Sequence, residues 1–169
     1  MADQINENTQ LQAFLAKRGA IIVKEDMCIG RLSALYSVVC EFTAIVVWQP
    51  GSESDKFKGV QVCLKRSDDG NEESEAAFLD LDELDSLSTA LTYLVDAARK
   101  WSGETREYIE MTYKSADDFR VGFYQNQRKQ VPFISAGHGG GLCGFLSSIE
   151  DLTRLKTLSD SAISKLRDK

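Results

Sequence analysis

The chain has 169 residues, enough for one domain with a sizeable core, and its 43% hydrophobic and 27% charged residues are ordinary for a globular fold. Its net charge of −6 reflects one segment, residues 68–85, with nine acids and no base; outside it 17 acids face 20 bases, a net of +3, so a low pI does not exclude nucleic acid. No apolar run approaches the roughly 20 residues that span a bilayer, and the polar start MADQINENTQ lacks the basic opening and apolar stretch of a secretory signal, so a cytoplasmic protein is expected.

Residues 1–8 read as a frayed end. Leu11, Phe14 and Leu15 stand at helical spacing, which predicts a short helix ending by Gly19. Strand signals follow. Ile21, Ile22 and Val23 open a run to about Ile29, and residues 35–48 are rich in β-branched and aromatic residues up to Pro50-Gly51. Residues 57–65 alternate Phe57, Val60, Val62 and Leu64 with Lys58, Gln61 and Lys65; the acidic SDDGNEESE reads as a loop, and residues 76–81 as a fourth, short strand. Leu84, Leu87, Leu91, Leu94 and Ala98 then recur in steps of three and four, one helical stripe with Asp82 as the expected N-cap.

The second half repeats this order. Residues 108–114 alternate, Asp117-Asp118 makes a turn, and residues 119–125, 131–135 and 143–146 read as three further strands. Ser147 with Glu150 is a capping-box pattern, and Leu152, Leu155, Leu158, Ala162 and Leu166 form a second apolar stripe. The expected fold is therefore α+β: one domain over residues 1–169, with a short N-terminal helix and two pseudo-repeats, about 19–102 and 104–168, each of four antiparallel strands and a helix. Each helix is expected to back its own sheet, and the width of the stripes and the sheet edges point to self-association or a protein partner.

Catalytic motifs are lacking. His138-Gly139-Gly140-Gly141 is like an esterase oxyanion loop, but the chain has no G-x-S-x-G elbow and only this histidine. Gly139, Gly141 and Gly144 satisfy a dinucleotide-binding spacing but precede a strand-like pair, not a helix. The acids of residues 80–85 break the calcium-loop pattern at its fifth and sixth positions. Cys28, Cys40, Cys63 and Cys143 form no C-x-x-C pair and read as structural thiols, so no metal, cofactor or disulfide framework is expected. The loop Gly137, His138, Gly139, Gly140 and Gly141 reads either as a plain hairpin turn or as a functional flap.

Basic and aromatic residues interleave on several strands. Lys56, Lys58, Lys65 and Arg66 flank the third strand, while Arg120, Tyr124, Arg128 and Lys129 sit on or after the strand following Asp118. Cations that track phosphate beside flat rings that stack on bases are what a single-stranded nucleic-acid platform requires. The tandem of four strands and a helix, with Lys17-Arg18-Gly19-Ala20 before the first strand, resembles the Whirly and PUR-type single-stranded nucleic-acid-binding proteins. That resemblance implies nucleic-acid binding on strand faces. Two readings of function therefore stand: a non-enzymatic interaction or regulatory module for a protein partner, and a single-stranded nucleic-acid binder.

Overall fold

The structure, a computed structural model, describes residues 9–169; the expected frayed end at residues 1–8 lies outside them. A short helix α1 (Gln10–Leu15) leads into strands β1 (Val23–Ser33), β2 (Val38–Trp48), β3 (Phe57–Asp68) and β4 (Asn71–Asp80), closed by helix α2 (Leu81–Trp101). Strands β5 (Arg106–Lys114), β6 (Arg120–Gln127), β7 (Lys129–Ala136) and β8 (Leu142–Phe145) follow, closed by helix α3 (Glu150–Arg167). Each set of four strands forms an antiparallel sheet in sequential order, giving the (ββββα)×2 arrangement expected from the pattern. No described helix is long and apolar enough to cross a membrane.

Alternation sets the faces. In β2, Val38, Cys40, Phe42, Ala44 and Val46 point into the core, and β3 pairs with it so that Leu64, Val62 and Val60 stand opposite Cys40, Phe42 and Ala44. In the second sheet Val121, Phe123 and Ile134 do the same. One contiguous core unites both sheets with α2 and α3, and α1 covers the other face of the first sheet by packing Leu11 and Phe14 on Ile45, Val47 and Phe57.

The helices depart from the expectation that each backs its own sheet. Helix α3, which follows the second sheet, lies against β1 and β2 of the first and against α2, whereas α2 reaches strands of both sheets. Gly30, at a β-bulge after Cys28, makes room for α3: a Cβ there would stand 2.8 Å from the Leu158 side chain. The leucine stripe of α2 is buried within this single chain, so its width no longer argues for self-association.

Three local expectations also change. The acidic segment is mostly strand: only Asp69 and Gly70, both at positive φ, turn the chain between β3 and β4, as an Asp-Gly hairpin allows. Its acids are held by pairing with β3, where Glu73 faces Arg66 across the ladder. The cap of α2 is Asp80, whose backbone N–H donates to Glu83 (3.1 Å), while its carboxylate accepts the N–H groups of Gln10 and Leu11 at the start of α1. At α3, Ser147 donates to Asp151, four residues on, not to Glu150, because Asp151 is the carboxylate that is buried.

Candidate functional site

The basic residues singled out in the sequence do not meet in one patch. Lys56 directly precedes β3, Lys58 lies near its start and Lys65 and Arg66 near its end, the two pairs separated by roughly 23–33 Å at the usual strand rise. Most have partners. Lys56 lies over the Trp48 ring at 5.0 Å, Lys65 pairs with Glu41 at 3.0 Å, and Arg66 reaches Glu73 at 3.5 Å. Lys58 shares a cleft with Asp80, Asp82, Asp85 and Arg167. In the second sheet Arg128 donates to Thr105, and Lys129 is exposed at the start of β7. Arg120 and Tyr124 share the outward face of β6, where Tyr124 stacks on Tyr108 with ring centroids 5.8 Å apart.

The glycine-rich loop is the β7–β8 hairpin turn. Gly137, Gly139, Gly140 and Gly141 all have positive φ, and a Cβ on Gly141 would stand 2.0 Å from the Ala136 carbonyl oxygen, so the backbone path itself demands glycine. His138 reaches back to the β5–β6 turn, with Nδ1 against Asp118 and Nε2 3.3 Å from Asp117. Asp117 is buried and accepts the N–H of Phe78 from β4, which ties this turn to the edge of the first sheet (2.8 Å). A hydrogen bond from Lys114 holds the Asp118 carboxyl below its ordinary range, with His138 adding to it. No group of three or more His, Cys, Asp or Glu among the described residues could hold a metal ion. Burial pushes up the thiols of Cys40, Cys63 and Cys143, which disfavours the reactive thiolate form.

An apolar groove lies elsewhere, between α2 and β5. It measures about 610 Å³ and is lined by Ala90, Tyr93 and Leu94 of α2 and by Met111 and Tyr113 of β5, with Asp85 at one end. Helical spacing puts Ala90 and Tyr93 beside the buried stripe, and strand alternation turns Met111 and Tyr113 inward toward them. Burial, with Glu83 and Asp82 close by, pushes the Tyr113 hydroxyl up to about 12, so it remains a neutral donor toward the Glu83 carbonyl oxygen at 3.4 Å.

The edge of β5 beside this groove is open. Of the four sheet edges, β1 carries Lys24, Glu25 and Asp26, with Glu25 held by Lys169, and β4 is acidic and donates Phe78 N–H to Asp117. Strand β8 is only four residues long, and its Phe145 carbonyl accepts Leu35 N–H. Strand β5 runs nine residues and has no strand partner but β6 among the described residues. Ala90, Tyr93, Leu94 and Met111 were not recognisable as a site in the sequence. Their only signal was an aromatic residue off the leucine stripe and an alternating strand, and neither shows which helix meets which strand. No protein-family model, curated protein or solved structure matches the chain.

Proposed function

We propose that the chain is a non-enzymatic interaction module of the cytoplasm that binds a protein partner along the open edge of β5. The coincidence of an apolar groove with an unpaired strand edge carries this reading. An extended segment laid along β5 would gain main-chain hydrogen bonds from the edge and place alternate side chains in the groove, as strand addition generally does. Tyr93, 66% exposed, is the aromatic anchor on the helical wall. The test is quantitative mass spectrometry of partners captured by the native chain and by Ala90→Arg, which fills the groove from the helical wall. Selective loss of a partner from the variant supports the reading, and identical partner sets from two equally stable proteins overturn it.

A second reading, single-stranded nucleic-acid binding, is favoured by one observation: the stacked Tyr108–Tyr124 pair on the outward face of the second sheet, with Arg120 and Lys114 on the same face. It agrees with the Whirly and PUR-type resemblance in element order. Such binding must weaken steeply with salt. Fluorescence anisotropy of a labelled single-stranded oligonucleotide at low and physiological salt tests it. Salt-sensitive binding that drops with Tyr124→Ala supports this reading, and absence of binding at low salt removes it.

A further inference from the structure

We propose that the partner seated along β5 is a second copy of this chain, joined β5 to β5 antiparallel across a two-fold axis at Thr112. This rests on the reading of the groove and edge as a partner-binding surface, and names the occupant. Self-complementarity of the strand supports it. A two-fold contact sets the same strand against itself, so each residue meets the one equally far beyond the axis. Antiparallel neighbours directly opposite each other share a face, and opposite charges there attract while like charges repel.

Residues Ile109, Met111 and Tyr113 alternate onto the half-buried face of β5, where Met111 and Tyr113 line the groove, whereas Glu110, Thr112 and Lys114 are exposed. An axis at Glu110 would set Glu110 against Glu110, like against like, and the bulge between Arg106 and Ile109 takes Arg106, which lies over the Trp101 ring, out of that register. An axis at Met111 leaves Lys114 opposite Tyr108 and Glu110 opposite Thr112, with no charge matched. An axis at Thr112 sets Glu110 of each copy against Lys114 of the other, twice over. It also sets Met111 against Tyr113 on the groove side, a favourable contact of thioether and ring. Both charged groups are within reach of the edge. Lys114 is 54% exposed and now meets Asp118 at 2.7 Å, and Glu110 accepts hydrogen bonds from Tyr108 and Thr112.

The same pairing accounts for the exposed ring on α2. Joined at β5, the two second sheets form one continuous eight-stranded sheet, and the two α2 helices approach across the axis. Tyr93, at 66% exposed, then closes over a groove that is otherwise open. The pairing covers five residues per copy, residues 110–114, so the dimer depends on concentration and is not obligate.

The experiment is sedimentation velocity from about micromolar to millimolar chain, on the native protein, Glu110→Lys, Lys114→Glu and an equimolar mixture of the two variants. The native chain is expected to dimerise. Each variant alone sets like charges opposite each other at both sites and should weaken dimerisation by about tenfold or more. In the mixed dimer opposite charges face each other again at both sites. The lysine introduced in one chain meets the glutamate introduced in the other, and the native Lys114 of the first meets the native Glu110 of the second, so dimerisation should return. That recovery cannot arise from changes within one chain, such as loss of the Lys114–Asp118 pair. A native dimer equally strong in all samples, or no recovery on mixing, overturns the proposal. A native chain that stays monomeric while Ala90→Arg still loses a captured partner also overturns it, and leaves the groove to a different protein. Monomer with no partner lost removes both.

Discussion

Gln125 is fully buried, and its amide N–H groups donate to the carbonyl oxygens of Glu104 and Gln127, while its own oxygen accepts from Gln130. Gln130 donates in turn to the Ala98 carbonyl at the end of α2, so two side chains tie that helix end to β6 and β7. Gln125→Leu leaves these groups without partners and should cost about 1–3 kcal/mol in a chemical-denaturation titration. Neither glutamine stood out in the sequence, because a buried polar side chain is distinguished by its surroundings and not by its neighbours in the chain. Asp118 has a consequence for pH. Lys114 foremost, and His138, lower its pKa in the fold, so the stability it contributes is complete above the ordinary carboxylate range near about pH 4 and is lost as pH falls through the lowered value. Asp118→Asn should therefore lie below the native protein by up to about 1 kcal/mol at neutral pH. The two melting curves should converge in strong acid, and a gap that persisted there would mean the aspartate acts through packing instead.

Among the elements, β5 and β6 are held close by the absence of one side chain. A Cβ on Gly122 would stand 2.1 Å from the Met111 carbonyl oxygen, a backbone atom that can move only if β5 moves. Gly122→Ala should destabilise the protein by about 1–3 kcal/mol, and hydrogen exchange should show the loss concentrated in residues 106–114. Equal protection of β5 in variant and native protein would mean the strand yields without cost. Most elements were legible in the sequence: β-branched and aromatic residues marked β2, alternation marked β3 and β5, and leucine spacing marked α2 and α3. The acidic half of β4 was not, since Glu72, Glu73 and Glu75 have low strand propensity. Pairing with β3 through the Asp69-Gly70 turn overrides that preference, and the turn dipeptide was the signal available.

At the scale of the whole molecule, the two units cannot be cut apart at the repeat boundary. Helix α3 covers β1 and β2 of the first sheet, and one core runs through both units. A fragment of residues 9–103 would expose the apolar face of β1 and β2 that α3 now buries, and should fail to give a cooperative melting transition by circular dichroism. A cooperative transition from that fragment would show the first unit to be independent. The candidate site belongs to the same scale. Its walls, Tyr93 on α2 and Met111 on β5, come from different units, and no pattern in either stretch states that they face each other. Sequence by itself determined the number, kind and order of the elements, because period and turn chemistry are local properties of the chain. Only the tertiary structure decided that α3 crosses to the first sheet, that most of the basic residues are scattered and paired, and that β5 is left open beside a groove. Those outcomes depend on which apolar faces bury each other most completely, a choice made by the packing of distant segments.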